Sequence, residues 1–181
     1  MDRETALALA REKTEKDTTY RHLVSVEGVM RALARRLDGD EDLWALTGLF
    51  HDLDQDLTGE DPERHAYIAA EWLRGAGVDE RVINGVLAHA HEQYRRDVMD
   101  RAIVHADAVA GLLVAAALVR PEKATGMKVS SVKKKLKDKA FAPGVNREEI
   151  TSVEDSIGLS TDDLIATSIE GLQPVAPEID L

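Results

Sequence analysis

The chain has no cysteine among its 181 residues, and Phe, Trp and Tyr together make up only 4% of it. The absence of cysteine excludes disulfide bonds, thiolate nucleophiles and cysteine-ligated zinc. Because aromatic residues are scarce, Leu, Val, Ala and Ile must build the core. A hydrophobic fraction of 44% is sufficient for a core in one domain of this length.

Long hydrophobic runs are also missing, since no segment reaches the ~18 uninterrupted apolar residues of a membrane span. The longest apolar stretch, residues 102–119, is interrupted by His105 and Asp107. The first residues do not have the basic and then apolar layout of a signal peptide. These features predict a cytoplasmic protein without a membrane partner.

Positive charge is in deficit, with 23 Lys and Arg against 34 Asp and Glu and a net charge of -11. This balance argues against a nucleic-acid polymer as partner, because such binding needs a basic face. A small anion still binds to an acidic protein where metal ions or local arginines supply positive charge. The charge balance is therefore compatible with a small anionic substrate. We expect a monomer or homodimer.

The apolar residues recur with the spacing of helices, and no strand-like alternation is present. The pattern therefore predicts an all-α protein. The predicted helices cover residues 3–16, 19–37, 41–52, 62–74, 80–89 and 97–119, with Asp61 as the cap of the fourth.

Residues 1–120 are predicted to form one helical domain, which Arg120-Pro121 closes. Residues 121–181 are predicted to form a helical extension packed on that domain. The extension contains a basic segment at 128–139 and two short helices capped at Asn146 and Ser160. We expect the tail, residues 174–181, to be loosely held.

A polar pair, His51-Asp52, follows the apolar helical run of residues 43–50. Unpaired polar groups and charges are costly to bury, so side chains of this kind usually pair or hold a metal. Further imidazoles and carboxylates occur along the chain at His22, His65, His89, His91 and Asp107. Mixed imidazole and carboxylate ligands suit Mn, Fe, Co, Ni or Zn better than Mg.

The spacing of these histidines and aspartates is compatible with either one or two metal ions. Adjacent helical residues point about 100° apart, yet His51 and Asp52 can both reach one ion just beyond the helix end. Asp52 has two oxygens and could also bridge two ions, with His65 and His89 completing a second position.

The ordered series His22, His51-Asp52, His65, His89 and Asp107 resembles the HD-domain superfamily of metal-dependent phosphohydrolases, over about residues 19–119. The resemblance implies an orthogonal helical bundle in which one metal is held by His22, His51, Asp52 and Asp107. It also implies that His65 and His89 mark a dinuclear member.

Three departures from known subfamilies leave the substrate open. Leu53-Asp54 stands where one subfamily has Ile-Gly, and Gln55 stands where a lysine often follows. The Gly-Tyr-Pro signature of the cyclic-di-GMP phosphodiesterases is absent.

The leading functional hypothesis is a metal-dependent phosphohydrolase with Asp52 and His51 as catalytic residues. The expected substrate is a nucleotide or a related phosphomonoester or diester, attacked by metal-activated water. Two alternatives stay open. One is a diiron oxygenase on the same scaffold, as in inositol oxygenase and the phosphonate-cleaving enzymes. The other is a signalling module that binds a nucleotide at a metal site.

Three residues are predicted to contact the substrate: His91, Arg95 and Lys133. His91 could instead replace or assist His89 as a ligand. Lys133 belongs to the basic run, which is either a phosphate-binding rim or the solvated face of an amphipathic helix.

Three further residues have open or structural interpretations. Asp54 and Asp56 either orient a metal-bound water or a ligand imidazole, or are plain loop residues. His105 points to a different helix face from Asp107 and is interpreted as a core residue.

Overall fold

The structure, a computed structural model, describes residues 1–59 and 61–181. Over these residues the chain forms helices and no strands. The α-helices are α1 (Arg3–Lys13), α2 (Asp17–Arg36), α3 (Glu41–Phe50), α4 (Gln55–Thr58), α5 (Tyr67–Gly75), α6 (Glu80–Ala90), α7 (Val98–Leu118), α8 (Val129–Lys137), α9 (Arg147–Thr151), α10 (Val153–Ile157) and α11 (Thr161–Val175). Two 3-10 turns cover Glu92–Tyr94 and Ala176–Ile179. The predicted all-α class with a helical C-terminal extension is confirmed.

Short polar side chains at the helix starts explain where several helices begin. Asp79 accepts a hydrogen bond from the backbone N–H of Arg81 at 2.8 Å and so caps α6. Asp97 and Asp100 form a capping box at the start of α7. These contacts satisfy backbone donors that have no partner within their own helix.

Two predictions about local structure are wrong. The helix after Pro62 begins at Tyr67, because Ala66 adopts a left-handed conformation with φ of 66° and the preceding residues form turns. The C-terminal tail is packed, not loose: α11 continues through Pro174, and Ile179 is buried. Arg21 pairs with Asp180 at 2.9 Å and helps to hold the tail in place.

Helix α7 runs through the centre of the molecule and packs against α2, α3, α6, α8 and α11. By length and composition α7 is the one helix among the described residues that could cross a membrane. However, 67% of its most apolar window is buried against other helices. This burial is typical of the core helix of a soluble domain.

A close crossing between α2 and α3 determines where two of the predicted ligands lie. At Gly48 an added Cβ would lie 2.6 Å from the carbonyl oxygen of Val26, so no larger residue fits there without a shift. His22 is one turn before Val26, and His51 is one turn after Gly48. The crossing therefore brings the two imidazoles together.

The C-terminal helices pack on the rest of the chain in two places. Helix α11 packs along α2, and Gly28 and Gly171 meet backbone to backbone at their crossing. Helices α9 and α10 pack on α7. As a result, residues from the C-terminal part of the chain reach the side of α7 that carries Asp107.

Candidate metal centre

The first cluster consists of His22 from α2, His51 at the end of α3 and Asp107 from α7. Nε2 of His22 lies 3.2 Å from Nε2 of His51 and 2.9 Å from Oδ1 of Asp107. Nε2 of His51 lies 3.7 Å from the same carboxylate oxygen. Three separate helices thus direct one ligand atom each to a common point.

The second cluster consists of Asp52, His65 and His89. Nε2 of His65 and Nε2 of His89 are 3.1 Å apart, and they lie 3.2 Å and 3.1 Å from Oδ1 of Asp52. The other oxygen of Asp52 faces the first cluster, 3.6 Å from Nε2 of His51. Asp52 therefore stands between the clusters with one oxygen toward each.

These distances match the spacing of atoms around a metal ion. With bonds of about 2.1 Å, neighbouring ligand atoms lie about 3.0 Å apart in octahedral geometry and about 3.4 Å apart in tetrahedral geometry. The facing Nε2 atoms of His22 and His51 are also too close for two lone pairs without a cation or proton between them. The donor set in both clusters consequently fits a divalent transition metal.

Local hydrogen bonds determine which ring nitrogen faces inward in His51 and His89. Nδ1–H of His51 donates to the carbonyl of Gly48 at 2.8 Å, and Nδ1–H of His89 donates to that of Val86 at 2.7 Å. Each carbonyl lies three residues before its histidine, near the end of the helix that precedes or carries the imidazole. Each imidazole therefore turns its Nε2 atom to the cluster centre.

His65 is held by Asp54, which is fully buried. Nδ1–H of His65 donates to Oδ1 of Asp54 at 2.9 Å. The same carboxylate accepts from the backbone N–H groups of Ala66 at 3.2 Å and Ala69 at 2.9 Å. Asp54 thus both caps α5 and orients His65. Orientation of a candidate ligand imidazole is one of the interpretations that the sequence left open.

Asp56 has a different function from Asp54. Its carboxylate accepts from the backbone N–H groups of Glu15 and Lys16, at 2.8 Å each, and from the hydroxyl of Thr19 at 2.7 Å. These are contacts to the segment that leads into α2. Asp56 is therefore a helix-anchoring residue.

The carboxylates dominate the electrostatics of both clusters. Burial alone would lower the pKa of His51, but the charges of Asp52 and Asp107 outweigh it and raise the pKa to about 9. The pKa of His65 is also raised to about 9, because hydrogen bonds to Asp52 and Asp54 overcome burial. Burial would raise the pKa of Asp52, yet its neighbouring imidazoles hold it well below the usual range. The carboxylates of the two clusters therefore favour a positive charge, from protons or metal ions, at the centre.

Two of the three predicted substrate contacts lie beside the clusters. Nε2–H of His91 donates to the carbonyl of His65 at 3.0 Å. The imidazole ring of His91 stacks on the ring of Tyr67, with 4.4 Å between the ring centroids. Nε–H of Arg95 donates to the carbonyl of Ala88 at 3.0 Å, at the end of α6 that carries His89.

The structure does not bring Lys133 to the clusters. Its ammonium pairs with Asp162 at 2.6 Å, next to Asp163, which pairs with Arg36 at 2.9 Å. Arg36 follows His22 by about four turns of α2, or roughly 20 Å. The predicted phosphate contact from Lys133 has no geometric basis, since this lysine lies near the opposite end of α2.

A cavity of about 470 Å³ opens between α7, the Glu92–Tyr94 turn and the helices α9 and α10. Its lining includes Arg95, Arg101, His105 and Glu149. His105 is 4% exposed, as expected for a core residue, and its Nδ1–H donates to the carbonyl of Glu149. Burial and the charge of Asp107 raise the pKa of Glu149.

The sequence analysis missed Arg101 and Glu149 as residues of this region. Arg101 is one of several charged residues of the chain on a long helix, and Glu149 lies in the first turn of a short helix far along the sequence. No local pattern indicates that α9 folds back onto α7.

An all-α fold with two His/Asp clusters that could hold metal ions is typical of helical metal-binding domains. The HD domain family profile matches residues 19–118, which is more than half of the chain. The chain belongs to the HD domain family, the superfamily of metal-dependent phosphohydrolases that the motif series resembles.

Three relatives are all described as ribonuclease Y proteins. The Ribonuclease Y of Sulfurovum sp. (strain NBC37-1) is 33% identical over 86 residues, 48% of this chain and 17% of the relative. Ribonuclease Y 2 of Levilactobacillus brevis is 30% identical over 90 residues, 50% of this chain and 17% of the relative. Ribonuclease Y of Rubrobacter xylanophilus is 26% identical over 152 residues, 82% of this chain and 29% of the relative. The chain thus spans less than a third of the length of these curated relatives. No solved structure matches significantly.

Proposed function

We propose that this protein is a dinuclear metal-dependent phosphohydrolase that acts on a small phosphate ester. The observation that carries the proposal is the position of Asp52 between two ligand clusters, with Oδ1 3.1 Å from His89 and Oδ2 3.6 Å from His51. A carboxylate in that position is suited to bridge two divalent ions. HD family membership supports the same reaction class.

In this proposal His22, His51 and Asp107 hold one ion, His65 and His89 hold the other, and Asp52 bridges them. When bound, the two ions supply the Lewis acidity that lowers the pKa of a water molecule and offsets charge on the phosphoryl oxygens. The suitable metals are Mn, Fe, Co, Ni and Zn, with Mg a poorer match to imidazole nitrogen.

The chain's own residues determine how the site is approached. The side chain of His51 has no exposed area, whereas those of His22 and Asp107 are 24% and 35% exposed. Water and substrate therefore reach the clusters from the His22–Asp107 side. His91 and Arg95 border the second cluster and are proposed to contact the substrate there.

The ligand set also favours an anionic substrate. Its two carboxylates carry fewer negative charges than two divalent ions bring, so the loaded centre keeps a positive charge in an otherwise acidic protein. A phosphate ester is suited to such a centre. The relatives are described as ribonucleases, so we include a phosphodiester of RNA among the candidate substrates and expect short oligonucleotides rather than polymers.

The test measures hydrolysis of p-nitrophenyl phosphate, bis-p-nitrophenyl phosphate, nucleoside monophosphates and a short oligoribonucleotide. Each assay uses purified protein loaded with Mn²⁺, Co²⁺ or Fe²⁺. The test variant is Asp52→Asn, which keeps the shape of the side chain and removes its charge. The control is Asp42→Asn, which removes a carboxylate that forms a surface ion pair with Arg31.

We expect hydrolysis by the wild type and by Asp42→Asn, and a loss of at least ~100-fold in Asp52→Asn. No hydrolysis of any ester by metal-loaded protein would overturn the proposal. Oxygen uptake with iron-loaded protein, in the absence of hydrolysis, would instead assign oxygenase chemistry.

A further inference from the structure

Three aromatic side chains, those of Tyr67, His91 and Tyr94, meet in one patch, which we call the aromatic patch. The rings of Tyr67 and His91 stack with their centroids 4.4 Å apart and an angle of 29° between their planes. The ring of Tyr94 stands steeply to both, at 6.4 Å from Tyr67 and 6.3 Å from His91. Two of the three tyrosines thus lie together in a chain that is only 4% aromatic.

The aromatic patch is only partly covered by the rest of the chain. Tyr67 and Tyr94 pack against the hydrophobic core, yet both residues and His91 remain partly exposed. Aromatic rings that face water gain free energy when a further planar or apolar group covers them. The aromatic patch therefore offers a surface on which a ring of a ligand can stack.

Hydrogen bonds hold the aromatic patch in place. Nε2–H of His91 donates to the carbonyl of His65 at 3.0 Å, and the side-chain amide of Asn84 donates to the carbonyl of Tyr94 at 3.0 Å. The same amide donates to the buried carboxylate of Asp100 at 2.8 Å. Because the rings are held before a ligand arrives, binding on them costs little side-chain entropy.

The aromatic patch adjoins the second cluster along the chain. Tyr67 is two residues after the proposed ligand His65, and His91 is two residues after the proposed ligand His89. Because Nε2 of His91 bonds to the backbone of His65, bond lengths limit the distance between the Nε2 atoms of these two histidines to about 10 Å. The side chains of His65 and Asp52 are 16% and 18% exposed, so the second cluster is also accessible to solvent. The aromatic patch thus lies within about one nucleotide length of the proposed ions.

We propose that the aromatic patch stacks the base of a nucleotide whose phosphate lies at the metal centre. The inference rests on the proposed function and narrows the substrate class to nucleotides and short oligonucleotides. Stacking of a base on aromatic side chains tolerates any sequence, because every base has a π-face.

The arrangement of the rings favours a planar base over an organic cation. A cage for a cation surrounds one point with aromatic rings. Here the rings of Tyr67 and His91 already stack on each other, and no space for a cation is left between them. A ligand therefore has to lie on the outside of the pair, where a flat ring makes the larger contact.

The experiment compares adenosine 5′-monophosphate with ribose 5-phosphate as substrates of the Mn²⁺-loaded protein. Ribose 5-phosphate lacks the base, so the ratio of the two KM values measures what the base contributes. Phosphocholine, which has an organic cation in place of the base, is the third substrate.

The test variant is Tyr67→Leu, which removes the aromatic ring and keeps an apolar side chain, and Tyr67→Phe retains the ring. The control is Tyr20→Leu, which removes a partly buried tyrosine outside the aromatic patch, two residues before the proposed ligand His22. Thermal melting of each variant checks the fold.

We expect the wild type to have a KM about tenfold lower for adenosine 5′-monophosphate than for ribose 5-phosphate or phosphocholine. Tyr67→Leu should remove most of that advantage with little change in kcat, whereas Tyr67→Phe and Tyr20→Leu should retain it. Equal KM values for the nucleotide and ribose 5-phosphate in the wild type would overturn the inference. So would an undiminished advantage in Tyr67→Leu, an equal loss of it in Tyr20→Leu, or a KM for phosphocholine as low as that for the nucleotide.

Calorimetric binding of adenosine 5′-monophosphate and ribose 5-phosphate to the Mn²⁺-loaded protein separates this result from a failure of the proposed function. If no ester is hydrolysed but Tyr67→Leu weakens binding of the nucleotide alone, the hydrolase proposal fails and the base-stacking site stands. If esters are hydrolysed and the nucleotide binds no better than ribose 5-phosphate, the hydrolase stands and the base-stacking site fails.

Discussion

Asp54 accepts a hydrogen bond of 2.9 Å from Nδ1–H of His65, which lies 11 residues further along the chain. The bond joins the loop after α3 to the turn before α5. Because Nδ1 is engaged, Nε2 of His65 faces Asp52 at 3.2 Å. The orientation of one proposed metal ligand thus depends on a buried carboxylate outside the ligand set.

We predict that Asp54→Asn weakens binding of the second ion by about 10- to 100-fold. The amide cannot accept in the same way from both His65 and the backbone of α5, so the imidazole loses its fixed orientation. Isothermal titration with Mn²⁺ measures the effect as the loss or weakening of one of two binding events. The first cluster should keep its affinity.

Asp56→Asn is the matched control for Asp54→Asn, since both are aspartates of the short segment between α3 and α5. Asp56 anchors the segment before α2, so its substitution should lower the melting temperature and leave metal affinity nearly unchanged. Equal effects of both substitutions on metal affinity would show that Asp54 acts only through the stability of the fold.

The stability of the metal-free protein should fall as the pH rises. Folding raises the pKa of His51 and His65 from 6.5 to about 9, so protonated imidazole favours the folded state. That contribution is complete below pH 6.5 and is lost by about pH 9. We expect the melting temperature without metal to drop by roughly 5 °C or more over this interval.

Metal-loaded protein should behave in the opposite way, because the ions replace the protons between the ligands. Its melting temperature should stay level or rise from pH 6.5 to pH 9, measured by differential scanning calorimetry. A metal-free protein that gains stability over this range would contradict the electrostatic description.

At low pH, stability should be lost as Asp52 and Asp107 are protonated, since folding lowers the pKa of both.

Gly48→Ala should disturb the metal centre from a position that carries no ligand. The added methyl group would lie 2.6 Å from the carbonyl oxygen of Val26 and force α2 and α3 apart. We expect a loss of about 2 kcal/mol in unfolding free energy, together with weaker metal binding, because His22 and His51 separate. Urea unfolding and metal titration measure the two effects.

Gly75→Ala is the control for Gly48→Ala, since an added Cβ there meets no atom within 4 Å. It should leave both quantities near the wild-type values. If Gly48→Ala destabilises the fold but binds metal normally, the crossing does not determine the spacing of the two imidazoles.

The helical class and most helix positions could be predicted because periodicity and caps are local signals. The region 62–66 could not be predicted in this way. Asp61-Pro62 resembles a helix start. However, the carboxylate of Asp54 accepts hydrogen bonds from the backbone N–H groups of Ala66 and Ala69, and the helix begins at Tyr67. This contact joins residues that are distant in sequence, so a local pattern does not contain it.

The candidate site could also be predicted from the sequence only in part. The six proposed ligands were selected from the sequence by residue type and order. The pairing of Lys133 with Asp162 was not foreseeable, because it depends on how α8 and α11 dock. The cavity at Arg101 depends in the same way on the return of α9 and α10 to α7.

Anomalous diffraction from crystals of the Mn²⁺-loaded protein tests the central claim most directly. We predict two peaks about 3.5–4 Å apart, one at each cluster, with Asp52 between them. A single peak, no peak, or peaks away from His51 and His89 would contradict it.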